Sequence, residues 1–257
     1  MSYTIAVSGK GGVGKTAVGA LIVRAFLDAR VTPILAVDAD PNLNFDAALG
    51  VQALDSVGDI RELAAADHEG IPAGMSTSEY FEYQVRMALL EAHGFDLLAM
   101  GRPEGPGCYC AANHVLRLAM DRLTDSYRYT VMDCEAGMEH LSRRTTRDLD
   151  LLVLVTDPTV RGAQTLVRVV ELAAELETQV KDTQAIVNRV RGETPQPVLE
   201  VLAQAGLARP IELPEDDEIM RRDALGEPLL GLPADNPVLS AVRQLVAERV
   251  LSRTTCA

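Results

Sequence analysis

Short apolar runs alternate with amphipathic stretches from one end of the chain to the other. The runs Tyr3–Ser8, Pro33–Asp38, Asp96–Met100, Tyr129–Asp133, Asp150–Thr156 and Gln184–Asn188 are mostly hydrophobic, the mark of strands covered on both faces, and the more polar Arg209–Leu213 reads as a further strand. Between them, apolar residues at helical spacing predict helices over Lys15–Ala29, Ser78–Ala92, Ala111–Thr124, Gly162–Leu176, Pro197–Ala205 and Pro237–Leu251. This alternation predicts an α/β fold with a doubly wound, mostly parallel sheet flanked by helices. No internal repeat or long linker interrupts it, so residues 1–257 are expected to form one domain. Gly101–Gly107 (GRPEGPG) holds too much Gly and Pro for regular structure and reads as a loop that delivers Cys108 and Cys110 to the next helix.

Composition narrows the function classes. The 257 residues are 47% hydrophobic and 24% charged, which excludes extensive disorder. A net charge of −13 argues against a non-specific nucleic-acid binder, whose affinity comes from Lys and Arg on phosphates. No apolar run approaches the eighteen or so residues of a membrane span, and the N-terminal stretch lacks the pattern of a signal peptide. A cytoplasmic protein without membrane or nucleic-acid partners is the expectation. There, four cysteines suit ligands, redox groups or core fillers better than disulfides. Of 24 basic residues only Lys10, Lys15 and Lys181 are lysines, and two of these share one glycine-rich loop. In that loop a compact ammonium is not interchangeable with a planar guanidinium.

That loop is Gly9-Lys10-Gly11-Gly12-Val13-Gly14-Lys15-Thr16, a full G-x-x-x-x-G-K-[ST] phosphate loop between a predicted strand and a predicted helix. The backbone of Gly11, Gly12, Val13 and Gly14, and the helix start at Lys15, Thr16 and Ala17, are the expected phosphate contacts. Lys15 should reach the β- and γ-phosphates, and the Thr16 hydroxyl should coordinate Mg²⁺. Acids cluster at the ends of later strands, in Asp38-Ala39-Asp40-Pro41-Asn42, at Asp133 and at Asp157. That edge of a parallel sheet is where ligands bind, although helix capping is an alternative for Asp38 and Asp40, and for Asp157 the better one.

Cys108-Tyr109-Cys110 adds a second chemistry. One C-x-C supplies two thiolates where a closed tetrahedral site needs four, and a two-fold dimer would bring two such motifs together. Soft thiolates suit Ni²⁺, Zn²⁺, Cu⁺ or an iron–sulfur cluster. The alternative is two chance cysteines in a loop. His114 reads as an ordinary surface histidine, Cys134 as a packing residue and Cys256 as incidental.

The two-lysine loop K-G-G-x-G-K-T resembles the deviant Walker A loop of the dimeric P-loop NTPases that include nitrogenase iron protein and the division-site and partition ATPases. This resemblance implies a homodimer in which Lys10 crosses to the partner's phosphates. It further implies that Asp40 orients the attacking water, that Asp38 supports Mg²⁺ and the loop, and that Asp133 and Gly137 belong to the Walker B and second-switch segment. Asn188 and Arg189 would then lie at the adenine, with the segment at Leu213 packing on the base. Alone, Lys10 is also readable as a solvated loop lysine.

GPGCYC and Asp133-Cys134-Glu135-Ala136-Gly137-Met138-Glu139-His140 more narrowly resemble the CooC-type nickel-insertion ATPases of carbon monoxide dehydrogenase maturation. The resemblance runs through nearly the whole chain and departs at Cys134, where Asn is expected. It implies an ATP-hydrolysing metallochaperone with ATP/ADP and Mg²⁺ at the loop. Nickel, or zinc in its place, would be shared between Cys108 and Cys110 of two subunits, with carbon monoxide dehydrogenase as client. Three alternatives remain. They are an iron-protein-like electron donor, an iron–sulfur scaffold ATPase and a spatial-positioning ATPase of the division or partition type.

Overall fold

In a computed structural model the described residues are 2–40, 42–53, 56–58, 71–72, 74–101, 121–134, 148–175 and 179–254. Ten strands are described: β1 (Tyr3–Gly9), β2 (Ile34–Ala39), β3 (Leu90–Glu91), β4 (Asp96–Ala99), β5 (Tyr129–Cys134), β6 (Asp148–Leu149), β7 (Leu151–Thr156), β8 (Gln179–Val180), β9 (Thr183–Val190) and β10 (Ile211–Pro214). Eight of them form one sheet in the order β10-β9-β7-β1-β5-β2-β4-β3, while β6 and β8 pair separately. Every pairing in the large sheet is parallel except β3 with β4.

The central strands β1, β2, β5 and β7 are buried along almost their whole length, because both faces are covered. Alternate residues feed two cores. Ile5 and Val7 pack with α1 (Lys15–Asp28), α2 (Phe45–Leu49) and the later helix Pro237–Val246, whereas Ala6 faces the opposite core. In that second core lie α3 (Thr77–Met87), α4 (Val160–Glu175) and α5 (Gln196–Gln204). α6 (Asp217–Leu225) buries no residue, and α7 (Pro237–Val246) continues into a wider π turn, Ala247–Leu251. Phe26 of α1 stacks on Tyr129 of β5 with ring centroids 4.5 Å apart, fixing the first helix against the sheet.

The α/β class and the mostly parallel sheet match the sequence reading, and several elements correct it. The helix expected over Ser78–Ala92 ends at Met87, and Leu90–Glu91 instead forms β3 against β4. α2, α6, β6 and β8 were not anticipated. Of the helix expected over Ala111–Thr124, only residues 121–124 are described, and they are helical.

Candidate functional site

β1 gives way to the glycine-rich loop, and the loop to α1, at the place where the strand order reverses. β5, β2 and β4 extend to one side of β1, and β7, β9 and β10 to the other. Ligands of open parallel sheets lodge at such a switch point, beyond the carboxyl ends of the strands. A cleft of about 660 Å³ opens there. Gly11, Gly12, Gly14, Lys15, Thr16 and Ala17 form its floor, Asp40 and Asn44 one side, Asn188 and Arg189 another, and α6 with Asp216, Met220 and Arg222 the far wall.

α1 begins without a side-chain cap and without an acid in its first turn. Its leading N–H groups and positive dipole end are therefore available to an anion. Gly14 sits at φ 92, and a Cβ there would come within 2.7 Å of Asn188 Nδ2, so this loop position requires glycine. Lys15 is buried at 7% exposure, and its Nζ donates to the Lys10 carbonyl at 3.3 Å. Lys10 reaches sideways, its Nζ 2.9 Å from Asp157 Oδ2. Burial disfavours charge on Asp157, yet hydrogen bonds from Thr159 and Lys10 outweigh it and hold the carboxyl below its usual range. This pairing ties Asp157 to the phosphate loop, a contact that its sequence position did not disclose.

The acids divide by their partners. Asp38 is fully committed to backbone, its two oxygens accepting from Asp40 N at 3.1 Å and Phe45 N at 2.9 Å. Burial pushes its pKa up to about 6 against those two bonds, with Asp40 and Asp46 adding to the rise. It organises the turn from β2 into α2, the capping role that the sequence left open. Asp40 accepts from both the backbone and side-chain nitrogens of Asn42, and all four bonds keep this turn at the cleft edge.

Asp133 differs. Both of its oxygens are buried and make no hydrogen bond of ordinary geometry. Burial pushes its pKa up to about 7; the Thr16 hydroxyl and Lys15 favour its charge, while Asp38 and Asp40 oppose it. An orphaned carboxylate beside a phosphate loop fits a hard cation. Mg²⁺ needs only one or two protein oxygens besides phosphate and water, and Thr16 and Asp133 suit it. When bound there, the ion would neutralise phosphate charge.

At the end of β9, Asn188 Nδ2 donates to the Val13 carbonyl at 2.8 Å, and Arg189 Nη1 to the Gly12 carbonyl at 3.1 Å. Leu213 does not reach the cleft. Its side chain is wholly buried in the core, and the wall at that point is Pro214. The α6 wall was missed by sequence reasoning, although a signal existed. Asp216 caps the helix by accepting from Ile219 N, and Gly226 ends it at φ 67. Asp216 also accepts from Asn236 Nδ2, which ties this wall to α7. Cys108, Cys110, His114 and Gly137 lie outside the described residues. Among the described residues, no group of three or more His, Cys, Asp or Glu is placed to hold a metal ion. Cys134 is buried, and burial pushes its thiol pKa far up, as suits a packing residue.

Residues 4–229 match the CobQ/CobB/MinD/ParA nucleotide-binding domain. The chain belongs to this family. An ATP-binding protein of Methanocaldococcus jannaschii, described as uncharacterized, is 43% identical over 97% of this chain and 98% of its own length. The carbon monoxide dehydrogenase accessory protein CooC of Rhodospirillum rubrum is 34% identical over 67% of this chain and 69% of its own. The septum site-determining protein MinD of Pyrococcus horikoshii, solved with Mg-ADP, shares the fold at a TM-score of 0.68 and 22% identity. That match covers 100% of this chain and 99% of the other. MinD and ParA members of the family are ATPases. No described helix is long and apolar enough to cross a membrane.

Proposed function

We propose that this protein is a Mg²⁺-dependent ATPase acting as a metallochaperone, which uses ATP-driven homodimerisation to insert nickel into the active-site cluster of carbon monoxide dehydrogenase. The ATPase half of the reading is supported by the cleft, where Lys15, Thr16 and Asp40 meet an uncapped helix start, with the orphaned Asp133 buried beside Thr16. In this role Lys10 leaves Asp157 for the partner's phosphates. The pair is 35% and 28% exposed, so parting it costs about 1 kcal/mol or less.

One observation carries the cargo half: the two-lysine loop, Cys108-Tyr109-Cys110 and the Asp133–His140 segment occur in the order expected of a CooC-type protein. The similarity to CooC of Rhodospirillum rubrum supports it. Nickel is cargo here, and zinc would compete for the same thiolates.

The test is metal content together with native mass, measured with and without ATP. One Ni²⁺ per dimer, lost in Cys108→Ser and Cys110→Ser with ATP binding retained, is the expected result. Nickel bound stoichiometrically by a monomer, or equally well by both variants, would overturn the shared site. A brown iron–sulfur protein would point to the electron-donor or scaffold alternatives, and ATP-dependent pelleting with liposomes to a positioning ATPase.

A further inference from the structure

Three carbonyls of the phosphate loop are held by side chains. Lys10 O accepts from Lys15 Nζ at 3.3 Å, Gly12 O from Arg189 Nη1 at 3.1 Å and Val13 O from Asn188 Nδ2 at 2.8 Å. A peptide unit is planar and trans, so its C=O and the following N–H point in opposite directions. Holding the Gly12 carbonyl toward the end of β9 therefore turns the Val13 N–H the other way. The bond to the Val13 carbonyl does the same for the Gly14 N–H. Neither N–H is bonded to another described residue. A phosphate nest is made of such consecutive, inward-facing N–H groups.

Arg189 is unusual on its own terms. Its φ is 60, a left-handed conformation that a long non-glycine side chain rarely adopts. Its own N–H donates to Asn188 Oδ1 at 3.0 Å, so one strained residue orients the Asn188 amide through its backbone and the Gly12 carbonyl through its guanidinium. The side chain is exposed, and burial does not account for the strain. Strain of this kind persists where the surroundings use it.

We propose that Arg189 is a positioning residue for the phosphate loop, acting on bound phosphates through the Gly12 carbonyl and the Val13 N–H rather than by touching the base. This rests on the ATPase reading above and adds a residue whose effect should be confined to the phosphates beyond the first.

Calorimetry with Mg-ADP and with AMP, on wild type, Arg189→Asn and Arg189→Lys, tests it. Asn tolerates a positive φ but is too short to reach Gly12, whereas Lys keeps both a donor and the charge. Arg189→Asn should bind Mg-ADP about tenfold more weakly, the worth of one hydrogen bond to a charged donor. Its AMP affinity should be unchanged, and Arg189→Lys should recover most of the loss. The ³¹P resonance of the bound β-phosphate should move in the Asn variant and return in the Lys variant. Arg189→Gly, which also accepts the backbone conformation, replaces Asn if that variant fails to fold. Wild-type affinity and resonance in the Asn variant would overturn the proposal. So would equal losses for ADP and AMP, which would place Arg189 at the base. A loss that disappears at about 0.5 M salt would reduce the effect to unspecific charge and overturn it too. A wild type that binds no Mg-ADP would overturn the ATPase reading itself, and this proposal with it.

Discussion

Lys15 and Lys10 share a loop and differ in what surrounds them. Lys15 is buried beneath the loop with its ammonium on a loop carbonyl, whereas Lys10 lies at the rim on Asp157. Lys15→Ala should therefore lower ATP affinity at least a hundredfold, because a buried cation at the phosphates has no substitute. Lys10→Ala should keep binding within a few-fold and abolish turnover. Calorimetry paired with a phosphate-release assay reads both. Asp133 supplies a second prediction. Burial raises its folded pKa to about 7, well above the ordinary carboxylate range, so the folded state holds this proton more tightly than the unfolded chain. The ligand-free protein should then lose stability as pH rises from about 4 through 7, by up to roughly 4 kcal/mol at full ionisation. Asp133→Asn should flatten that slope and raise the melting temperature at pH 8, while removing Mg²⁺-dependent hydrolysis. Scanning calorimetry across pH checks the sign.

Among the elements, the junction of β7 and α4 is packed tightly around the carboxylate that holds Lys10. A Cβ on Gly162 would lie 2.2 Å from Asp157 Oδ1 and 2.3 Å from Thr156 Oγ1, and the Gly162 N–H donates to Thr159 Oγ1 at 3.0 Å. Asp157 cannot yield freely, since Lys10 and Thr159 both hold it. Gly162→Ala should cost about 1–3 kcal/mol by overpacking. Combining it with Asp157→Ala, which removes the clashing carboxylate, should recover part of that cost in a double-mutant cycle. Urea denaturation of the four proteins measures it, and strict additivity would separate the glycine from the carboxylate.

At the scale of the whole molecule, charge dominates. Each chain carries −13, so bringing two together is opposed by long-range repulsion that salt screens. The ATP-bound dimer, accumulated with Asp40→Asn to slow hydrolysis, should tighten between about 20 and 300 mM salt. Nucleic-acid binding, which releases counterions, would weaken over the same range. Sedimentation at several salt concentrations distinguishes the two, and a dimer that loosens with salt would mean that opposite charges face each other across the interface.

The sequence by itself determined whatever is written locally. Runs such as Ile5–Val7 and Leu151–Val155 carry their burial on both faces in consecutive residues, so the parallel sheet was legible, as was the eight-residue phosphate loop. Short or polar elements were not. β3 has two residues, and α6 buries none, so neither leaves a hydrophobic period to read. Only the tertiary structure decided which acid does what. Asp38, Asp40 and Asp133 all end strands at one sheet edge, but only the fold gives Asp38 two backbone donors and leaves Asp133 buried with none. It alone brings Asp157 to Lys10 across 147 positions, and Arg189 to Gly12 across 177. It also turns Leu213 into the core and leaves Pro214 on the cleft wall. Motifs record which residue types a site contains, but partners distant in sequence, and the solvent each pairing excludes, exist only once the strands are laid side by side.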